Sequence, residues 1–132
     1  MPEESDTEKI TINLVPVDLG KIDLLVEQGL YASRSDLIRT GIRRVLEDND
    51  GVLKEVISRR FLNVGMVFFN QQDLLAMQAK GERLRIRSIG RLSLKHDVEP
   101  DTAAAVIEEI VVKGSLKMSP EVRNRLQDRI LR

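Results

Sequence analysis

Between Lys9 and Val15 apolar and polar side chains alternate strictly, with Ile10, Ile12 and Leu14 on one side and Lys9, Thr11 and Asn13 on the other. A period of two is that of a strand with one face buried. Pro16 ends it, because proline has no N–H to give to a ladder. From there the period lengthens. Leu19, Ile22, Leu25 and Val26 fall on one stripe of a helix, with Asp18 as its cap and Gly29 as its left-handed stop. A second helix is predicted to start at Ser33-Arg-Ser-Asp36, close to a capping box with Asp in place of the usual Glu. It carries Leu37, Ile38, Ile42, Val45 and Leu46 along one face and closes at Asp48-Asn-Asp-Gly51. A single seven-residue strand forms no sheet by itself, and a second copy of the same strand is the simplest partner.

Beyond residue 51 the pattern repeats. A helix over residues 52–60 leads into three alternating segments: Phe61-x-Asn63-x-Gly65-x-Val67-x-Phe69, Ile86-x-Ser88-x-Gly90-x-Leu92-x-Leu94 and Ile110-x-Val112-x-Gly114-x-Leu116-x-Met118. Their glycines lie 25 and then 24 residues apart. Each segment reads as a strand with glycine at the centre of its buried face, where it admits close approach of the covering helix. Each is followed by a helical stretch, over Asp73–Lys80, Asp101–Glu109 and Glu121–Leu131, and the last two begin just after Pro100 and Pro120. The fold class expected is therefore α+β, in three parts. Residues 1–8 are a disordered tail, residues 9–49 a strand and two helices, and residues 50–132 a small domain of three strand–helix units. Units of this length match leucine-rich repeats in size and style.

Composition narrows the chemistry. With 42% hydrophobic and 32% charged residues the chain has the balance of a folded globular protein. Its 3% aromatics leave a core of Ile, Leu and Val and no stacking platform for single strands. The absence of cysteine excludes disulfides, thiolate metal sites and cysteine nucleophiles, and His96 is the sole histidine. No cofactor or metal is expected. Asp97, Glu99 and Asp101 read as the acidic start of a helix, whose dipole they complement, rather than as metal ligands. No nucleophile–base pair, phosphate-cradling glycine loop or paired carboxylate is present, so an enzyme is not expected. The acidic N-terminus has no apolar segment of a signal peptide, and no apolar run approaches the ~20 residues of a membrane helix; a soluble, cytoplasmic protein without membrane contact is expected. The net charge of zero hides an asymmetry. Residues 1–50 carry six Lys and Arg against eleven Asp and Glu, and residues 51–132 carry fifteen against ten.

The order Lys9-Ile-Thr-Ile-Asn-Leu-Val-Pro16, a helix ending at Gly29, Tyr31-Ala-Ser33-Arg-Ser-Asp36 and Leu37-Ile-Arg39-Thr-Gly-Ile-Arg43-Arg44 resembles the ribbon-helix-helix superfamily of the Arc, MetJ and CopG repressors. The resemblance covers residues 9–49 and implies an intertwined homodimer: two copies of the strand paired as an antiparallel ribbon, clasped by four helices. Ile10, Ile12, Leu14, Leu25, Ile38, Ile42 and Val45 would form the dimer core. The other ribbon face would enter the major groove of double-stranded DNA, which admits a two-stranded ribbon. Lys9, Thr11 and Asn13 would then read base edges, and the N–H groups around Ser33, Arg34 and Ser35 would hold a phosphate at the helix N-terminus. Arg39, Arg43 and Arg44 read as a solvated helix face.

The function expected is a sequence-specific transcriptional regulator, a repressor, with residues 52–132 mediating assembly or binding a protein partner. Residues 9–44 carry only two more basic than acidic side chains, which predicts few phosphate contacts per dimer and a shallow salt dependence. Two other readings use the same pattern: an antitoxin whose C-terminal segment folds on its toxin, and a scaffold that uses the N-terminal fold only to dimerise.

Overall fold

The structure, a computed structural model, describes residues 7–131. Most of the expected tail, residues 1–6, lies outside the described residues. The chain divides into two compact units, Met1–Glu55 and Val56–Arg132.

The first unit is helical. Helix α1 runs Pro16–Glu27, with Val15 as its N-cap and proline at its first position; a fixed φ and a missing N–H cost nothing there. Asp18, expected as the cap, sits instead in the first turn, where its charge meets the positive end of the helix dipole. The helix ends in a Schellman motif: Leu30 N donates to Leu25 O and Gly29 N to Val26 O, with Gly29 at φ 80°. Helix α2 runs Arg34–Asp48, and Ser33 caps it by accepting from Asp36 N at 3.1 Å. Asp36 reaches back to Ala32 N at 3.0 Å, one residue before the cap, so the capping box is offset by one position. The expected stop at Asp48–Gly51 narrows to Asn49, whose Nδ2 donates to Val45 O at 2.8 Å. Asp50 and Gly51 already belong to α3, Asp50–Arg60.

The second unit is a four-stranded parallel sheet in sequential order β1-β2-β3-β4. Its strands are β1 Asn63–Phe69, β2 Leu84–Leu94, β3 Ile107–Lys117 and β4 Ile130–Leu131. Between them run α4 Gln71–Ala79, α5 Pro100–Val106 and α6 Pro120–Leu126, the last followed by a 3-10 turn over Gln127–Arg129. Pro100 and Pro120 stand in the first turns of α5 and α6, as expected. Two expected helices are shorter than read. Ile107–Glu109 is strand, and residues 127–131 are a 3-10 turn and a fourth strand.

Register explains the spaced glycines. Gly65 pairs with Gly90 and Gly90 with Gly114, so the three form a row across the sheet. Their φ angles are 136°, 124° and 124°. A Cβ on Gly90 would run into the carbonyl of Gly65, and one on Gly114 into the carbonyl of Gly90. The close approach that excludes a side chain is thus to the neighbouring strand and not, as expected, to the covering helix.

The core lies between one sheet face and α4–α6. Ile86, Leu92, Leu94, Ile107 and Ile110 meet Leu74, Ala103, Ala104, Val106, Val122 and Leu126 there. Gln71 ties α4 to α5: its Nε2 donates to Thr102 Oγ1 at 2.8 Å and its Oε1 accepts from Glu99 N at 2.9 Å. Asp97 accepts from Gln71 N at 3.3 Å, so this carboxylate serves the start of α4, while Asp101 lies in the first turn of α5. On the opposite face of β1, Val64, Met66 and Phe68 are exposed.

Candidate nucleic-acid interface

The expected base-reading residues, Lys9, Thr11 and Asn13, are exposed, and so are the apolar residues between them. Ile10, Ile12 and Leu14 are 74%, 58% and 39% exposed. The segment lies in no strand of the single chain. Its apolar side chains stay largely open, and of its backbone Val15 O accepts from Leu19 N at the start of α1. The strand expected at 9–15 is not formed in the single chain, where no described strand pairs with this segment.

The two helices repeat this condition. No described residue of Met1–Glu55 is buried. Of the expected dimer core, Leu25, Ile42 and Val45 are exposed and Ile38 is half-buried. Leu24, Leu30 and Leu46 are exposed beside them. A helical unit of this size that buries none of its Leu, Ile and Val residues has no core within one chain, since burial of the apolar face supplies most of a helix's stability in proteins.

The start of α2 presents backbone N–H groups at the positive end of its dipole. The first N–H groups of a helix have no intrahelical acceptor. Ser33 Oγ takes that of Asp36, which leaves those of Arg34 and Ser35 at the positive end of the helix. Ser33 and Ser35 are exposed. Arg34 is engaged elsewhere: its Nε and Nη2 donate to the two carboxylate oxygens of Asp23 at 2.7 and 2.8 Å. This fork-to-fork pair spans α1 and α2. The hydrogen bonds from Arg34 hold the Asp23 carboxyl below its usual range, and Asp23 in turn raises the guanidinium. Arg39, Arg43 and Arg44 are exposed along α2, apart from the helix start.

Period and cap chemistry alone are enough to place Lys9, Thr11, Asn13, Ser33 and Ser35 on open surface. They are not enough to reveal Asp23 as the partner of Arg34. The two are eleven residues apart on different helices, and only the Gly29 turn brings them together.

With this geometry in place, comparison with known families shows that the family described as Ribbon-Helix-Helix transcriptional regulator matches residues 5–123. The match runs through both units and so includes most of the parallel sheet. No curated protein and no solved structure matches the chain.

Proposed function

The chain belongs to the ribbon-helix-helix transcriptional regulator family, and on that premise we propose that it is a homodimeric, sequence-specific DNA-binding protein of the cytoplasm that represses transcription. Residues 9–15 of two copies pair as an antiparallel ribbon. Lys9, Thr11 and Asn13 face the major groove, where Asn pairs with adenine, Thr meets a thymine methyl or a polar base atom, and Lys meets guanine or a phosphate. The N–H groups of Arg34 and Ser35, with the hydroxyls of Ser33 and Ser35, hold a flanking phosphate.

One observation carries this reading. The N-terminal unit leaves Ile10, Ile12, Leu14, Leu25, Ile42 and Val45 exposed and buries no described residue. That is the condition of half of an intertwined fold. The antiparallel ribbon is a feature of the assembled dimer, whereas the parallel sheet belongs to the second unit. The second unit has its own core, which suits an assembly or partner-binding role better than a segment that folds only on a toxin.

The test is selection of bound sequences from random duplex DNA, repeated with Thr11→Ala/Asn13→Ala. The wild type should enrich a two-fold-related sequence. The double variant should lose the enrichment and keep its dimeric mass in light scattering. Enrichment of the same sequence by the double variant would reject the assignment of Thr11 and Asn13 to the bases.

A further inference from the structure

The basic surplus of the chain lies outside the segment that reads DNA. Residues 51–132 carry fifteen Lys and Arg against ten Asp and Glu, and residues 1–50 six against eleven. Within the second unit, four arginines converge on one open cleft of about 260 Å³ whose lining includes Arg59, Arg60, Phe61, Leu62, Arg85 and Arg87. They arrive from two elements: Arg59 and Arg60 from the last turn of α3, Arg85 and Arg87 from β2.

Three observations bear on what such a cleft takes. Arg59 and Arg60 alone would be accounted for by the negative end of the α3 dipole, but Arg85 and Arg87 would not. Two carboxylates stand beside the four guanidinium groups: Glu108 accepts from Arg85 Nε at 3.3 Å and Glu109 from Arg87 Nη2 at 3.0 Å. Among the described residues that line the cleft itself, four carry a guanidinium group and none a carboxylate. Exposed ion pairs of this kind are weak, so the Arg85–Glu108 pair, 64% and 43% exposed, gives way readily to a stronger acceptor. The cleft has an apolar side, too. Arg60 lies over the ring of Phe61 at 5.3 Å, and a guanidinium held on an aromatic face keeps its N–H edges for an anion.

We propose that Arg59, Arg60, Arg85 and Arg87 form a second contact to duplex DNA, one that grips the phosphate backbone and adds affinity without reading sequence. The inference rests on the DNA-binding function proposed above and adds phosphate contacts to the few expected of residues 9–44, whose basic excess is only two. A shallow, open cleft lined by guanidinium groups fits a phosphate carried on a large, rigid duplex, which need not be enclosed to be held.

The experiment uses the full chain on its selected duplex and on a scrambled duplex, with affinity measured by fluorescence anisotropy across a KCl series. The variant is Arg59→Gln/Arg60→Gln/Arg85→Gln. Arg87 is left in place because its partner Glu109 is only 20% exposed and would be stranded without it. Each phosphate contact contributes about 0.9 to the slope of log affinity against log salt. The slope of the variant dimer should therefore be shallower by about 2 or more, with the same fold loss on both duplexes. The Lys versions at the three positions should restore the slope. A Gln variant with the wild-type slope overturns the arginine contact and leaves the ribbon reading intact. A loss confined to the selected duplex also overturns it, since that is the mark of base reading. A wild type that binds neither duplex overturns both.

Discussion

Asp23 accepts from both the Nε and the Nη2 of Arg34, so the guanidinium at the start of α2 is already held by a carboxylate of α1. Asp23 should titrate below the ordinary aspartate value of 3.8. A depressed carboxyl contributes its stabilisation in full above the unfolded value and loses it as the pH falls through the lower folded one. Side-chain NMR should find this depressed midpoint in the wild type and an ordinary one in Arg34→Ala; a midpoint that stays depressed in the variant would rule out Arg34 as its cause. In the second unit the residue of interest is Ser88, fully buried in β2 with no hydrogen-bond partner for its hydroxyl among the described residues. A buried hydroxyl left unsatisfied costs about 1–3 kcal/mol. Ser88→Ala should therefore raise stability by ~1 kcal/mol in urea denaturation, and a loss of similar size would show that the hydroxyl is satisfied after all. Single residues were unevenly legible in the sequence. Strict alternation sets Thr11 and Asn13 opposite Ile12 only once the segment is a strand, and the single chain forms none there. Ser33, by contrast, was legible as the cap of α2 from its spacing to Asp36. The Arg34–Asp23 pair and the Gln71–Thr102 bond were not legible, since each depends on how one element is turned against another.

At the scale of elements, the glycine row makes an ordered prediction. Gly65, Gly90 and Gly114 all have φ values that L side chains avoid, but only Gly90 and Gly114 face a carbonyl of the preceding strand. Gly65, on the edge strand, has open space where its Cβ would be. Gly65→Ala should cost the backbone strain alone, about 1–3 kcal/mol. Gly90→Ala adds a backbone clash and should exceed ~4 kcal/mol, the range of exceptional substitutions. Equal losses in urea melts would show that the clash is relieved by a shift of the sheet. The recurrence of these glycines was visible in the sequence, as were the three strands around them, but the cause was not. It required the register that sets Gly65, Gly90 and Gly114 side by side. The strand start at Ile107 was hidden for a different reason. Val106, Ile107 and Ile110 have the i, i+1, i+4 spacing of a helical stripe, and a register shift at Leu84/Arg85 opposite them breaks the alternation there. β4 was missed because two residues carry no period.

Across the whole molecule, the two units differ in where their apolar side chains go. Val56–Arg132 closes a core between its sheet and three helices, whereas Met1–Glu55 buries no described residue. Family membership covers both, so the parallel sheet is part of the regulator and not an unrelated addition. That difference is the reason for reading the first unit as one half of a dimer. Its most direct test exploits the absence of cysteine. A single Thr11→Cys, spin-labelled on the open side of the segment, reports whether two copies of residues 9–15 lie together. Paired strands sit about 4.8 Å apart. The label should therefore give an intermolecular dipolar distance below ~20 Å in a species of twice the chain mass, allowing for the reach of two label arms on strands at that spacing. A monomer, or a dimer whose labels at position 11 show no such coupling, would contradict the paired ribbon and the DNA-reading face built on it.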